Sequence, residues 1–212
     1  MSTFEPSPLV LVAAEIGAYL VGSIPFGVIV GRLRGFDPRA VGSGNIGMTN
    51  VARAGGASAA ARTFVGDILK GAVPVVVARS VGFSPFALAL VALAAFMGSI
   101  WSVFLKLQGG KGVSAALGVW VVLSPVALLY AMAAFGIVLA IFRIMSVASM
   151  AAALVIPAAV AAVGAPQPFI LLAIAISALV LLRHQDNIRR LMRGAEPRLG
   201  AGKDRDTAER SA

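Results

Sequence analysis

Residues 42–50 of this chain combine three glycines with neutral hydrogen-bond donors, in the order Gly-Ser-Gly-Asn-Ile-Gly-Met-Thr-Asn, and Arg53 follows. Closely spaced glycines let successive backbone N–H groups turn towards an anion. The guanidinium of Arg53 can hold a phosphate through two parallel hydrogen bonds. Further side-chain donors are Ser43, Asn45, Thr49 and Asn50. The segment predicts an anion-binding loop, and the alternative is a glycine-rich turn capped by Asn and Thr.

A second glycine-rich segment, Gly109-Gly110-Lys111-Gly112, leads into an apolar run that begins at Val113. Helix N-termini attract anions through their unpaired N–H groups and the helix dipole. Lys111 places a positive charge beside those groups. Gly109, Gly110 and Lys111 are therefore candidates for a second anion site. The alternative is a flexible turn at the membrane interface, with a lysine that reaches towards the headgroups.

The third segment, residues 183–191, has the sequence Arg-His-Gln-Asp-Asn-Ile-Arg-Arg-Leu and follows the last apolar run. Helical spacing places His184 and Asn187 on one face. We predict an amphipathic interfacial helix whose headgroup anchors are Arg189, Arg190 and Arg193. His184 and Asn187 face inwards and join the candidate site. His184, with an ordinary pKa of about 6.5, is also a candidate proton acceptor.

Three further charges lie within apolar runs. Asp67 and Lys70 are three residues apart, at the spacing of a helical ion pair. Charges inside membrane segments are functional candidates, and a purely structural pair fits the spacing equally well. Glu15 has no partner that the sequence makes visible.

Seven apolar stretches position these segments. The 212 residues are 59% hydrophobic and 13% charged, which excludes an ordinary soluble domain. A spanning helix needs roughly 20 apolar residues, and the stretches lack the alternation of a membrane barrel. They are Leu9–Leu33, Thr63–Val81, Pro85–Leu105, Val113–Leu123, Val126–Phe142, Val147–Val163 and Phe169–Leu182. We predict an all-α integral membrane protein with seven transmembrane helices, of which the fourth is short.

The distribution of the basic residues predicts how these helices are oriented in the membrane. If the seven helices alternate in direction from an N-terminus outside the cell, four connecting segments lie on the same side of the membrane. They are 34–62, 105–112, 143–146 and 183–212. Together with Arg32 and Lys70, they hold 17 of the 18 Lys and Arg residues. The positive-inside rule then places that face and the C-terminus in the cytoplasm. Residues 1–194 are predicted to form the membrane domain, and 195–212 a polar, disordered tail. The longest loop is predicted at 34–62.

Composition also excludes several kinds of site. The chain has no cysteine and one histidine, so disulfides, thiolate chemistry and a multi-histidine metal site are excluded. We expect no metal and no cofactor. The net charge of +9 lacks the interleaved aromatic residues of a nucleic-acid platform. We therefore expect no nucleic-acid partner, and attribute the charge to orientation and contact with membrane lipid.

Five motifs occur in order along the chain, at Gly22–Gly27, Gly42–Arg53, Asp67–Gly71, Gly109–Gly118 and Arg183–Glu196. From about Gly22 to Glu196, the chain resembles the bacterial acyl-phosphate:glycerol-3-phosphate acyltransferase family. The resemblance implies transfer of a fatty acyl group from acyl phosphate to the 1-hydroxyl of glycerol 3-phosphate. The products are lysophosphatidic acid and phosphate. It also implies a multi-pass protein of the bacterial cytoplasmic (inner) membrane, with its active site facing the cytoplasm.

The resemblance further assigns roles to residues. Ser43, Arg53 and Lys111 would hold substrate phosphate, and His184 and Asn187 would contact the glycerol end. The catalytic group is predicted to comprise His184, Lys111 and Arg53, and the hydroxyl proton passes either to His184 or to a substrate phosphate, with His184 in the second case orienting the hydroxyl. An acyl-phosphate-forming enzyme is a possible partner.

The chain departs from the family in Gly98-Ser99-Ile100-Trp101-Ser102, where the family has Gly-His-x-x-Pro. A histidine and a proline are thus replaced by Ser99 and Ser102. The alternative functions are an anion or phosphate transporter, which cationic loops on a helical bundle would also fit, and a relative that has lost catalysis.

Overall fold

Helices form most of residues 3–199, the part of the chain that the computed structural model describes. One isolated β-bridge joins Phe4 to Phe83. The all-α prediction is confirmed for these residues. The helices are α1 Pro8–Gly22, α2 Phe26–Leu33, α3 Met48–Ser80, α4 Pro85–Ile100, α5 Val113–Leu123, α6 Pro125–Phe142, α7 Met145–Ala162, α8 Gln167–Arg183 and α9 Gln185–Met192.

Four helical segments of the described chain are long and apolar enough to cross a membrane. They are Pro8–Leu33, Pro85–Leu105, Pro125–Phe142 and Met145–Ala162. The pair α8 and α9 would add a fifth if it were one span, although it bends by 53°. The other two predicted spans coincide with the second part of α3 and with α5, which has 11 residues. The count of seven therefore stays a prediction.

The first predicted span is two helices and not one. α1 ends at Gly22 and α2 begins at Phe26. The break has a local cause, because Pro25 has no N–H to donate and disfavours helical backbone at Ile24.

The predicted loop 34–62 was too long, because helix α3 already begins at Met48. Residues 48–62 include six alanines, which favour helix. The two glycines within this stretch produce a kink and not a loop: Gly56 has φ 76° and ψ −177°. The irregular connection before α3 is therefore confined to about residues 34–47, with one 3₁₀ turn at Pro38–Ala40.

Helix α4 lies at the centre of the bundle and packs against α1, α3, α5 and α8. Its inward side chains, including Ala92, Ala95 and Phe96, are fully buried. Helices α3 and α5 also cross closely, since a Cβ on Gly71 or Gly118 would overlap the backbone of the other helix. Small residues at helix contacts are typical of membrane bundles, where close packing replaces the hydrophobic effect.

Helix α6 lies at the periphery. It packs chiefly along α7, and only Ala127 and Ala131 are buried. Large side chains such as Leu129 and Ile141 are 70% and 67% exposed. Exposed apolar surface on this scale suits contact with lipid.

Candidate active site

A cavity of about 750 Å³ lies between the loop before α3, the glycine-rich loop 109–112 and helices α5 to α9. One end is polar. The other end is apolar and is lined by Trp120, Leu128, Phe135, Ile156 and Ile176. Nine of the ten predicted site residues line this one cavity: Ser43, Asn45, Thr49, Asn50, Arg53, Gly110, Lys111, His184 and Asn187. The tenth, Gly109, is not part of its wall. Segments far apart in sequence are thus brought together.

Asn50 braces the first loop from inside. Its Nδ2 group donates to the carbonyl oxygens of Pro38, Val41 and Asn45 at 2.7, 2.9 and 2.9 Å. Its Oδ1 atom accepts the backbone N–H of Ser43 at 3.0 Å. The side chain is 2% exposed. Because its donors and its acceptor are all engaged, Asn50 shapes the loop and has little capacity left for a ligand.

The same loop ends at the N-terminus of α3. Asn45 Oδ1 accepts the N–H of Gly47, the N-cap residue, at 2.8 Å. Thr49 lies in the first turn, and Arg53 follows one turn later on the cavity wall. The Arg53 side chain belongs to none of the ion pairs among the described residues. The first loop therefore presents a helix N-terminus together with a free guanidinium.

The second loop is braced from a distance. Arg183, at the end of α8, donates Nε to the Gly110 carbonyl at 3.1 Å and Nη2 to the Gly109 carbonyl at 2.9 Å. The Gly110 N–H donates to the Ser99 carbonyl at 3.1 Å. Gly112 has φ 77°, and a Cβ there would overlap the ring of Phe96. The loop thus depends on a glycine conformation and on two neighbouring helices.

Lys111 lies on this loop, near two other cations, Arg53 and Arg190. Burial lowers the pKa of Lys111 to about 8 from an ordinary 10.5. Glu196 opposes that shift, while Arg190 and Arg53 add to it. Three cations therefore meet at the polar end, and a bound phosphate would favour the charged form of Lys111.

His184 sits at the junction between α8 and α9 and is 2% exposed. Its Nδ1 atom lies 2.7 Å from the Val180 carbonyl oxygen. A carbonyl oxygen only accepts, so Nδ1 carries the proton and Nε2 has the free lone pair. Burial lowers the pKa of His184 to about 4 from 6.5. The imidazole is therefore neutral at pH 7, and is a good hydrogen-bond acceptor but a weak base.

Asn187 lies one turn after His184. Its Nδ2 group donates to Glu196 Oε1 at 2.5 Å, and its Oδ1 atom is buried without a partner among the described residues. A carboxylate cannot donate, so Nδ2 must face Glu196 and Oδ1 must point away from it. The residues at the polar end of the cavity therefore include two acceptors that have no hydrogen-bond partner in the described chain, His184 Nε2 and the buried Asn187 Oδ1.

Glu196 links the C-terminal segment to helices α7 and α9. Besides the hydrogen bond from Asn187, its carboxylate accepts one from Ser146 Oγ on α7 at 2.7 Å and one from Arg190 Nε on α9 at 2.7 Å. Burial alone would raise the pKa of the Glu196 carboxyl, but these three hydrogen bonds outweigh it, and the pKa lies below its ordinary value. Arg190, predicted as a headgroup anchor, instead pairs with Glu196 and lines the cavity.

Residues 195–199 belong to the described structure, so the ordered domain extends beyond residue 194. The rest of the predicted tail, 200–212, lies outside the described residues.

The predicted pairing of Asp67 with Lys70 is confirmed. Their side chains lie 2.7 Å apart, 13% and 5% exposed, on the cavity wall. Lys70 Nζ also donates to the Ile24 carbonyl at 3.2 Å, which ties α3 to the link between α1 and α2. This buried ion pair therefore links two parts of the bundle, whether or not it also contacts a ligand.

The two serines that depart from the family pattern have structural partners. Ser99 Oγ donates to the Phe96 carbonyl at 2.6 Å, and its own carbonyl holds the second loop. Ser102 Oγ donates to the Ser23 carbonyl at 2.5 Å. These contacts tie the end of α4 to its neighbours.

Several cavity residues were missed in the sequence. Arg190 could have been found, since it lies three residues after Asn187 and so shares its face. Ser146 and Ser149 gave no signal, because hydroxyls in an apolar helix are usually packing residues. Glu196 and Arg198 had been assigned to the tail.

Known proteins resemble this chain in sequence and in fold. The family described as glycerol-3-phosphate acyltransferase matches residues 12–194. The glycerol-3-phosphate acyltransferase of Rubrobacter xylanophilus is 46% identical over 182 residues, covering 86% of this chain and 92% of the relative. That of Geobacter sulfurreducens is 46% identical over 184 residues, covering 87% and 95%.

Two solved structures agree with this assignment. PlsY, an integral membrane glycerol 3-phosphate acyltransferase, has a TM-score of 0.87 in its glycerol 3-phosphate form, at 38% identity over 92% of this chain and 98% of that one. Its lysophosphatidic acid form gives 0.85, at 38% identity over 90% and 96%. The resemblance carried by the five motifs is therefore confirmed, and this chain belongs to the glycerol-3-phosphate acyltransferase family.

Proposed function

We propose that this protein transfers a fatty acyl group from acyl phosphate to the 1-hydroxyl of glycerol 3-phosphate, releasing lysophosphatidic acid and inorganic phosphate. The observation that carries the proposal is a single cavity with a cationic end and an apolar end. Both substrates carry phosphate, and one also carries a long apolar chain. The forms in which PlsY has been solved, with glycerol 3-phosphate and with lysophosphatidic acid, support the same pair of ligands.

The cationic end suits two phosphate groups. Arg53 comes from the beginning of α3 and Lys111 from the loop before α5, and each lies near a helix N-terminus. Cations and backbone N–H groups fixed before the substrate arrives stabilise charge without having to reorganise. Ser43, Asn45, Thr49, Gly109 and Gly110 would complete this surface, with Asn50 holding the first loop in shape.

The glycerol end would meet His184 and Asn187. Each offers an acceptor, Nε2 and Oδ1, to a donor hydroxyl. Glu196 fixes the Asn187 amide through a 2.5 Å hydrogen bond, so the acceptor is oriented before the substrate binds. Holding the reacting groups in the right orientation can provide much of the rate enhancement of an acyl transfer.

In the reaction, the 1-hydroxyl oxygen attacks the acyl carbonyl carbon, and the bond from that carbon to the phosphate oxygen breaks. The hydroxyl proton passes to an oxygen of a substrate phosphate, and the departing phosphate takes the electron pair of the broken bond. A mixed anhydride is already activated, so no enzyme nucleophile is needed. With a pKa of about 4, His184 is better suited to orienting the hydroxyl than to removing its proton.

The acyl chain would occupy the apolar end between α5, α6, α7 and α8. Leu128 and Phe135 on α6, with Ile156 on α7, give it hydrocarbon neighbours. Since α6 is peripheral and faces lipid, this end lies next to the membrane from which the chain would come.

We further propose seven spans with the N-terminus outside, in the bacterial inner membrane. The cavity then faces the cytoplasm, together with most of the basic residues. An enzyme that forms acyl phosphate remains a candidate partner on that side.

The decisive experiment measures phosphate release by purified protein given palmitoyl phosphate, with and without glycerol 3-phosphate, and identifies the lipid product. Release that depends on glycerol 3-phosphate and yields lysophosphatidic acid supports the proposal. A folded, monodisperse protein that releases no phosphate would contradict it and direct attention to Ser99 and Ser102. Uptake of phosphate into vesicles, in place of acyl transfer, would instead indicate a transporter.

The role of His184 has its own test. We expect His184→Ala to retain more than about a tenth of the wild-type kcat, because an obligatory base would contribute 10²–10⁴-fold. A loss beyond about 100-fold in a folded variant would make His184 the proton acceptor.

A further inference from the structure

The C-terminal segment after α9 lines the cavity at residues 196–199 and is anchored on both sides of Arg198. The chain turns at Gly194, where φ is 67°. Glu196 is then held by α7 and α9. Further along, the Leu199 N–H donates at 2.7 Å to the carbonyl of Arg143, in the turn between α6 and α7. Two fixed points, at Glu196 and Leu199, therefore hold the backbone of Arg198, whose side chain is exposed.

Arg198 lies on the cavity wall between its neighbours Pro197 and Leu199. Four ion pairs occur among the described residues, and Arg198 belongs to none of them. The carboxylate nearest in sequence, Glu196, is already occupied by Arg190, Ser146 and Asn187. An arginine that lines a cavity and has no carboxylate partner in the described chain suits an anionic ligand.

We infer that Arg198 is a further substrate-binding residue, which contacts a phosphate oxygen of a substrate in the polar end of the cavity. This inference rests on the proposed function. Arg198 lies beyond residues 12–194, the part of the chain that matches the family. The contact is therefore contributed by this chain's own C-terminal segment. Both substrates carry a phosphate group, so Arg198 contacts either glycerol 3-phosphate or acyl phosphate.

The test compares Arg198→Ala and Arg198→Lys with Arg193→Ala, a matched control. Arg193 is an exposed arginine five residues earlier that does not line the cavity. In Arg198→Ala we expect the KM for one phosphate substrate to rise about five- to tenfold, the effect of losing a charge-assisted hydrogen bond at a half-open site. The kcat should stay within about twofold. Arg198→Lys should be intermediate, since it keeps the charge but not the planar fork.

Each substrate is titrated while the other is saturating, so the KM that moves identifies the phosphate that Arg198 contacts. Unchanged KM values for both substrates would overturn the inference. So would an equal change in Arg193→Ala, which would indicate general surface charge, or a loss of kcat without a change in KM. Thermal unfolding in detergent verifies that each variant is folded.

Failure of the proposed function is separable from failure of this inference. If the wild-type protein transfers no acyl group, isothermal titration with glycerol 3-phosphate and with palmitoyl phosphate measures binding directly. Weaker binding of either compound to Arg198→Ala than to Arg193→Ala would still support the contact. Equal Kd values for both compounds would rule it out.

Discussion

The two glycine-rich loops at the polar end are built in opposite ways. Asn50 holds the first loop through carbonyl groups 5 to 12 residues away in the chain. Arg183 holds the second loop through carbonyl groups 73 and 74 residues away. The first loop is therefore a local structure, whereas the second takes its shape from the end of α8.

This difference has a functional side. The residue next to Arg183 is His184, so one turn of helix both fixes the second loop and presents the imidazole. A displacement of α8 would move Lys111 and His184 together, while Arg53 at the beginning of α3 would stay in place. The loops can thus be perturbed separately or jointly, and the variants below test whether they are as independent as the contacts indicate.

The largest effect should come from removing the cation of the first loop. Arg53→Ala should lower kcat/KM by about 10²–10³, the usual cost of losing one fixed group that stabilises developing charge. Arg53→Lys should recover little, because a lysine cannot bind a phosphate through two parallel hydrogen bonds. Steady-state kinetics on both substrates check this. Near-normal kinetics in the lysine variant would refute the proposed two-point contact.

The next largest effect should follow from removing the brace of the first loop. Asn50→Ala leaves the carbonyls of Pro38, Val41 and Asn45 without their donor, and we expect kcat/KM to fall by about 10- to 100-fold. Asn50→Asp is the matched control, since it keeps an acceptor for Ser43 but loses the donors and should rescue poorly. An Asn50→Ala variant within threefold of wild type would show that the loop does not depend on this side chain.

The brace of the second loop should matter somewhat less, because Ser99 also holds that loop. We expect Arg183→Gln to lower kcat/KM by about 10- to 30-fold, with partial recovery in Arg183→Lys. The comparison is sharpened by combining Arg183→Gln with Asn50→Ala. If the loops are independent, the two losses should multiply. A double variant no worse than Asn50→Ala alone would mean that the loops form one unit.

The smallest effect concerns pH. The charged form of Lys111 dominates below its pKa of about 8 and is lost above it. Because a phosphate dianion binds the charged form, KM for the phosphate substrate that Lys111 contacts should rise about tenfold between pH 7 and 9, as the charged fraction of Lys111 falls from about nine-tenths to about one-tenth. In Lys111→Arg the rise should disappear, since arginine stays charged. A rise of the same size in the arginine variant would assign the titration to another group.

Much of the fold follows from apolar runs of the right length, and the motifs are visible because their residues are neighbours in the chain. Ser43, Asn45, Thr49 and Arg53 are grouped by sequence, so their chemistry could be read from it. The helix from Met48 was missed because residues 48–62 do not form an apolar run, and the spans were predicted from such runs; the glycine pair in this stretch bends the helix and does not end it.

What the sequence did not reveal are contacts made across the bundle. Arg183 is separated by more than 70 residues from the carbonyls it holds, and Glu196 by 50 residues from Ser146. Nothing in the residue types indicates these pairings, because arginine near a membrane surface also suits headgroups, and a polar C-terminal stretch resembles a tail. Only tertiary packing decides between these uses.

The shortness of α5 has a consequence for where the reaction takes place. Its 11 residues are about 16 Å long, roughly half of a hydrocarbon core of about 30 Å. This hydrophobic mismatch means that α5 alone cannot place the loop 109–112 at the level of the headgroups, unless the bilayer thins around it. If α5 is one of the proposed spans, Lys111 would lie below the interface in a membrane of ordinary thickness, at the level of the lipid acyl chains. A fatty acyl group would then meet its phosphate site without having to be lifted out of the leaflet.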